Sequence, residues 1–578
     1  MKGAGVPVHN VEIAQTLNKL ADLLEIEGAN AFRVRAYRNA AHLVESLPRS
    51  VADMAAGGED LAELPGIGEA LAKKLKEIVE TGHLAALEQE EKHVPPALRD
   101  LLKIPGLGPR RVHELFEKLK ITDLAGLECA VREGRLRTLE GFGEKTETRI
   151  REHLDRKTQT MPRMLLATAE QVVESLLKTL RGVKGVKRVV PAGSFRRRQE
   201  TVGDVDILAT CADSAAIMRR FVEYEDAAEV ITHGNTRSSL ILRSGLHVDL
   251  RVVPEESYGA ALHYFTGSKA HNIAIRARAL GRGLKLNEYG VFRGEKRVGG
   301  ATELEVFAAV QLPFIEPELR EDRGEIEAAE KGRLPHLVEL ADIRGDLQSH
   351  STATDGQAGI AEMAGAARQR GYEYLAITDH SQRMTMVHGL DAARLARQIR
   401  EIDRLNAKFS GFRILKSIEV DILENGALDL EDDILKELDV VVGAVHSQFN
   451  LPREKQTERI MRAMDNPFFH IFAHPSGRLI GERAAYAVDL ERLLHAARER
   501  GCFLELNAHP MRLDLNDAYC RMAREIGVKV AISTDSHNPL SLDFMRFGVG
   551  QARRGWLEKN DVLNTRPWET ARTLLRKA

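Results

Sequence analysis

Nowhere in the 578 residues does an apolar run approach the ~18 side chains that a membrane-spanning helix needs. The chain opens MKGAGVPVHNVEIAQTL, which lacks the continuous apolar core of a signal peptide, so a cytoplasmic protein without a membrane partner is expected. Cysteine is scarce. Cys129, Cys211, Cys502 and Cys520 stand without CxxC spacing, which excludes both a disulfide framework and a thiolate zinc site. What is there is ordinary for a soluble chain, 43% hydrophobic and 29% charged residues. At ~150 residues per domain the length calls for roughly four domains, each able to bury its own core.

A large net charge is also missing, but the total of -2 hides an asymmetry. Residues 1–300 carry 46 Lys and Arg against 41 Asp and Glu, whereas 301–578 carry 37 against 44. The stretch 151–200 holds 12 basic and 5 acidic residues, a composition that fits a phosphate-facing surface and equally a solvated basic face. One internal repeat stands out: LPGIGEALAKKL (64–75), IPGLGPRRVHEL (104–115) and LEGFGEKTETRI (139–150). Each reads as a glycine turn opening an amphipathic helix, with the pairs Gly66 and Gly68, Gly106 and Gly108, Gly141 and Gly143. Such a turn lets free N–H groups at the helix start face a DNA phosphate without reading sequence. The three copies look like helix-hairpin-helix motifs.

From about residue 155 short apolar strands such as VDILAT, SSLILRS and HVDLRVV alternate with helical stretches, an α+β pattern. Within GSFRRRQETVGDVDIL (193–208), Asp204 and Asp206 are one residue apart, so in an extended strand they share a face and can grip one hard cation. Gly193 and Ser194 can offer an N–H and a hydroxyl to a triphosphate, and Asp249 supplies a third carboxylate 43 residues after Asp206. A carboxylate cluster of this kind is what two-metal phosphoryl transfer requires.

These residues, with YFTGSKAHN (264–272) and LNEYGVF (286–292), resemble the family X DNA polymerases over about residues 10–315. The resemblance implies that Asp204, Asp206 and Asp249 are catalytic and hold two Mg²⁺ or Mn²⁺ ions. It further implies that Gly193, Ser194, Arg197 and Gly203 hold the triphosphate, that Tyr264, Phe265, Gly267, Ser268 and Asn272 select the nucleotide and sugar, and that Arg276 senses the base pair. His247 is a departure, because the family's DNA polymerase beta has an arginine there, steering the catalytic carboxylate. By the same resemblance Lys74 falls where some members form a lyase Schiff base, with Tyr37 and Arg33 at a 5′-phosphate pocket, although lysines after a DNA-binding turn are common for structural reasons.

The stretch 316–340 is acidic, helical in period and free of strand signals, and reads as a linker. Beyond it strand-like runs end again and again in residues of metal-ligand type, as in YLAITDH, ILKSIEVD, VVVGAVH, HIFAHP and KVAISTDSH. Ligands at successive strand ends are what a βα-barrel site needs, because those ends converge on one face. GDLQSHSTATDG (345–356) and ITDHS (377–381) resemble the polymerase and histidinol phosphatase (PHP) domain, a distorted barrel of metal-dependent phosphoesterases. That resemblance implies His350, Asp355, His380, Glu419, His446, His474, Asp535 and His537 as ligands for Mn²⁺, Zn²⁺ or both. Gln348 departs from it, standing where the motif has its first histidine, so one ion is expected to be weakened or lost.

Taken together the chain resembles bacterial family X polymerases with a C-terminal PHP domain. The expected order is a helical lyase-like domain with a helix-hairpin-helix at 1–88 and a second helical DNA-binding domain at 89–154. A nucleotidyltransferase palm at 155–256 and a thumb at 257–315 follow, then the linker at 316–340 and the PHP barrel at 341–578. The implied activity is DNA-directed filling of short gaps in base excision repair, with 3′-to-5′ exonuclease or abasic-site cleavage by the PHP centre. The implied partners are gapped or nicked duplex DNA and deoxynucleoside triphosphates, and a monomer is expected. The alternatives are a template-independent nucleotidyltransferase, a noncatalytic DNA-end scaffold and a polymerase whose PHP domain is purely structural.

Overall fold

Ile13, Leu17, Leu20 and Leu24 recur at three- and four-residue steps along the first helix, Asn10–Ile26, and all four are buried. Glu12 caps that helix by accepting from the His9 N–H at 2.8 Å. The computed structural model describes residues 8–575 apart from 48, 65, 95–97, 99–100, 103, 105–106, 140–141, 144–145, 148–149 and 151–162. The chain divides into two units, Met1–Pro162 and Arg163–Ala578. The described part of the first unit is helical, and its second cluster of apolar side chains gathers Leu98, Leu107, Val112, Leu115, Leu127 and Ile150. Among the described residues no helix is long and apolar enough to cross a membrane.

The second unit begins with a short antiparallel pair, β1 (Met164–Leu165) with β3 (Thr201–Val202), and a five-stranded mixed sheet in the order β2 (Val186–Pro191), β4 (Asp204–Cys211), β7 (His247–Val252), β6 (Arg237–Leu242), β5 (Ala227–His233). Only the central pair β4 and β7 is parallel, and its register sets Asp206 opposite Asp249 and Asp204 opposite His247. The helix Leu166–Arg181 packs its Val172, Val173, Leu176 and Leu180 face inward beside this sheet. Next come the helices Tyr258–Thr266 and Lys269–Leu280 and a small antiparallel sheet of β8 (Lys285–Asn287), β9 (Gly290–Arg293) and β10 (Lys296–Gly299). Ile275, Val291, Val306, Phe307 and Ile315 share one core there.

The helical period of 316–340 is realised in one α-helix only, Glu325–Glu330. The whole stretch is held by packing: Leu319 and Ala329 join the Phe307 core, Arg320 is fully buried against Glu303 at 2.6 Å, and Glu325 meets His271 at 2.7 Å. The expected linker is therefore a fixed part of the second unit.

Seven parallel strands follow in sequence order, β11 (Gly345–Asp346), β12 (Tyr374–Ile377), β13 (Arg413–Asp421), β14 (Val440–Ala444), β15 (Ile471–Phe472), β16 (Phe503–Asn507) and β17 (Val530–Ser533). A parallel bridge from Ser349 to Ser536 brings the last strand end beside the first, so the sheet curls into a nearly closed barrel. Its strands read as apolar runs because both faces are covered.

Candidate active sites

Three carboxylates converge on the palm sheet. Asp204 and Asp206 share a face of β4 by strand alternation, and the parallel register adds Asp249 beside Asp206. Burial, then the charges of Asp204 and Asp249, push the Asp206 carboxyl up to about 6. A cluster of three anions raising one another's cost of ionisation is relieved by a divalent cation, so this set fits a hard metal ion. The gap left by His247 is filled from β6. Ser239 donates its hydroxyl to Asp249 Oδ1, and Arg237 reaches Asp249 Oδ2 at 3.3 Å. Arg251 lies 3.9 Å from the same oxygen and stacks 4.4 Å over the Phe265 ring.

The turn after β2 places Gly193 with φ +64°, and a Cβ there would stand 3.4 Å from Asp206 Oδ2. Glycine thus lets this turn approach the carboxylates. Across from it Gly267, φ +67°, leaves room for Arg197 Nη1, 3.2 Å from where its Cβ would be. Arg197 donates to the Thr266 carbonyl at 2.5 Å, so the structure brings the Gly193–Arg197 turn and the Tyr264–Ser268 segment together. Tyr264 and Phe265 meet edge to face at 5.1 Å. Asn272 donates to the Tyr264 carbonyl at 2.7 Å, Ser268 caps the following helix, and the Arg276 guanidinium lies 5.7 Å from the Tyr264 ring centroid. Gly203 immediately precedes β4.

The barrel mouth holds all eight expected ligands. His350, Asp355, His380 and His537 form one group able to surround an ion, and His380, Glu419 and His446 form a second that shares His380. His350 Nε2 is 3.0 Å from Asp535 Oδ1, His474 Nε2 is 3.1 Å from Glu419 Oε1, and the His350 and His537 rings stack at 4.3 Å. Glu419 is fully buried. Burial opposes its charge, yet His380 and His446 hold its carboxyl well below the usual range.

Three residues of this centre escaped the sequence reading. Asp421, two residues after Glu419, accepts from His446 Nδ1 at 2.9 Å and fixes that ring. Asn507 donates to Asp535 Oδ2 at 3.0 Å. Glu505 lies buried on β16; burial first, then the Asp535 charge, drives its carboxyl well up, and its Oε1 has no hydrogen-bond partner among the described residues. CFLELN, a strand ending in a carboxylate and an amide, carried the same signal as the other strand ends.

Gln348 is 1% exposed, and neither of its amide atoms has a hydrogen-bond partner among the described residues. An isolated buried amide costs a few kcal/mol. It stands two residues before His350 on one extended segment, so the two side chains share a face. Orphaned oxygens at Gln348 and Glu505 beside imidazoles and carboxylates fit a multi-ion centre of mixed donors.

In the first unit Gly68 and Gly108 start the helices Glu69–Thr81 and Pro109–Leu119, and Gly143 accepts from the Thr146 N–H at 2.9 Å to open the third turn. Gly66, Gly68, Gly108 and Gly143 are exposed, and Gly106 and Gly141 lie outside the described residues. Lys74 is half-buried on Glu69–Thr81, Tyr37 is buried, and Arg33 faces Glu90 at 3.8 Å. No hydrogen bond or ion pair joins Lys74 to either of them among the described residues.

Five family models match between residues 8 and 509: a helix-hairpin-helix domain at 8–84, a SAM-like helix-hairpin-helix tandem at 98–156, the DNA polymerase beta palm at 160–247, the DNA polymerase beta thumb at 261–321 and the PHP domain at 346–509. Fold and sites thus define a polymerase-type nucleotidyltransferase joined to a PHP domain. The DNA polymerase/3′-5′ exonuclease PolX of Bacillus subtilis (strain 168) is 40% identical over 575 residues, 99% of this chain and 100% of that protein. The DNA polymerase lambda of Rattus norvegicus is 28% identical over 347 residues, 54% of this chain and 56% of its own. A probable phosphatase of Thermoanaerobacter sp. (strain X514) is 32% identical over 218 residues, 36% of this chain and 83% of its own. This chain belongs to the family X DNA polymerases that carry a C-terminal PHP domain.

Proposed function

We propose that the protein is a DNA-directed DNA polymerase that fills short gaps during base excision repair and trims DNA 3′ ends through its PHP centre. The observation that carries the first half is the convergence of Asp204, Asp206 and Asp249 one turn away from Gly193 and Ser194. Mg²⁺ or Mn²⁺ at the trio supplies Lewis acidity toward the primer hydroxyl and the triphosphate. Asp249, fixed by Ser239 and Arg237, faces the side from which the primer terminus attacks. The Gly193–Ser194 turn and Arg197 bind the triphosphate, while Tyr264 and Phe265 pack against the sugar and the Gly267–Ser268 backbone excludes a 2′-hydroxyl. The exposed glycine turns at Gly66, Gly68, Gly108 and Gly143 contact DNA phosphates and give affinity without sequence choice. Gapped or nicked duplex is the substrate these parts suit together, bound by a monomer.

At the PHP centre His350, Asp355, His380, Glu419, His446, His474, Asp535 and His537 hold Mn²⁺ or Zn²⁺, with Gln348 as a weak oxygen donor. The relative named a 3′-5′ exonuclease, matched end to end, supports hydrolysis of a terminal phosphodiester here. The test is extension of a primer across a one-nucleotide gap. Wild type extends with deoxynucleotides in clear preference to ribonucleotides, and Asp204→Ala with Asp206→Ala keeps DNA affinity but stops extension. Extension by that double variant at the wild-type rate would remove the polymerase assignment, and equal use of both sugars would favour template-independent transfer.

A further inference from the structure

The helix Met545–Arg554 belongs to the barrel, yet its last residue reaches the polymerase centre. Arg554 donates from Nη1 to the main-chain carbonyl of Arg197 at 2.8 Å and to Glu321 Oε1 at 2.9 Å. Its Nη2 is anchored on Asp517 Oδ2 at 2.7 Å. The same Glu321 oxygen accepts from Arg197 Nε and from Gln199 Nε2, each at 3.0 Å. Arg197, Glu321 and Arg554 are 11%, 12% and 5% exposed, so little water screens the chain of charges. The helix itself cannot shift easily, because a Cβ at Gly548 would stand 2.6 Å from Ile532 on β17 and 2.7 Å from Ala508. Arg554 is therefore delivered to the palm from a rigid wall.

Glu321 poses a problem for a triphosphate site. A carboxylate in contact with a phosphate-binding guanidinium repels the incoming anion and competes for the same N–H groups. Burial raises the cost of its charge, but Arg197 and Arg554, with the Gln199 amide, hold the carboxyl at about 2, so it stays ionised. Arg554 is the second cation that neutralises it and leaves the charge of Arg197 for the nucleotide.

We propose that Arg554 of the PHP domain is a positioning residue for the polymerase reaction: it neutralises Glu321 and pins the Arg197 main chain, so that Arg197 is presented to the incoming triphosphate. This rests on the reading of the palm as the polymerase centre. The barrel domain thus completes the nucleotide site whatever its own hydrolytic rate.

The experiment uses the full chain and a gapped duplex whose primer ends in a dideoxynucleotide, so that nucleotide binding is read at equilibrium without incorporation. Single-turnover extension and degradation of single-stranded DNA are measured beside it. Arg554→Ala raises the Kd for the complementary deoxynucleotide about tenfold, the size of one weakened charge-assisted contact. It leaves DNA affinity, degradation and the extension rate at saturating nucleotide within about twofold. Adding Glu321→Gln to Arg554→Ala removes the uncompensated charge and returns the Kd to within about threefold of wild type. The control is Arg546→Ala on the same helix, whose guanidinium meets Glu170 at 2.6 Å and touches neither Arg197 nor Glu321; it leaves the Kd unchanged. Should Arg554→Ala not fold, Arg554→Gln is read in its place with the same expectations. A wild-type Kd in Arg554→Ala, an equal rise in Arg546→Ala, or no rescue by Glu321→Gln overturns the inference. A wild type that does not extend the primer overturns instead the polymerase reading beneath it.

Discussion

The palm and the barrel solve the same problem, holding cations against a phosphodiester, with opposite means. The palm concentrates three carboxylates on two neighbouring strands, and Asp204 is exposed. The barrel spreads imidazoles and carboxylates from His350 to His537 over the ends of its strands and buries most of them. Oxygen-only donors near solvent suit a hard cation that arrives and departs with a nucleotide; buried mixed donors suit ions that stay. The contrast is therefore between a small, partly exposed set of oxygen donors and a larger, mostly buried set of mixed donors.

The largest expected effect sharpens this independence. His380→Ala with Asp535→Ala removes ligands of both barrel groups and lowers degradation of single-stranded DNA about a thousandfold, with gap filling unchanged in a primer-extension assay. The second follows from protonation. The Asp206 carboxyl sits at about 6, above its ordinary value, so between about pH 4 and 6 the folded ion-free chain binds a proton that the unfolded chain releases. Stability of the ion-free protein thus falls as pH rises through that window, and a cation opposes the fall. Below about pH 6 proton and cation compete for this carboxyl, so Mg²⁺ binding to the palm, read by calorimetry in a variant lacking the barrel ligands, is about tenfold weaker at pH 5 than at pH 7.5.

A smaller effect tests how the palm is braced. Arg237→Ala frees one oxygen of Asp249 and lowers single-turnover extension about fivefold, with partial recovery in Arg237→Lys; an unchanged rate would mean that Ser239 alone steers the carboxylate. The smallest concerns the broken ligand set. Gln348→His supplies a nitrogen donor on the face of His350 and raises bound Mn²⁺ and degradation about threefold, measured by metal analysis and nuclease assay, without altering extension.

Much of both centres was legible in the sequence because their geometry is local. Asp204 and Asp206 announce themselves by strand alternation, and Glu419, His380, His446, His474 and Asp535 lie in or just beyond the apolar strands β13, β12, β14, β15 and β17. What stayed hidden depends on register between distant segments. Nothing near Asp249 in the sequence points to Arg237, which reaches it only because β6 runs antiparallel beside β7. Arg554 and Arg197 are 357 residues apart, and only the packing of a barrel helix on the palm joins them. The stretch 316–340 misled by composition: acidic and free of strand signals, it read as a linker, but Glu325 is buried on His271 and Glu321 is shared by Arg197 and Arg554. Charge in a sequence marks a surface only when no partner waits for it in the fold.

The central claim is that one chain carries two separate metal-dependent phosphoester centres, and a crossed assay on one gapped, end-labelled duplex tests it most directly. Wild type, Asp204→Ala with Asp206→Ala, and His380→Ala with Asp535→Ala are each given Mn²⁺ and deoxynucleotides. The account predicts lengthened and shortened primers with wild type, shortened primers only with the first double variant and lengthened primers only with the second. Loss of both products in either variant, or shortening that survives in the second, would contradict it.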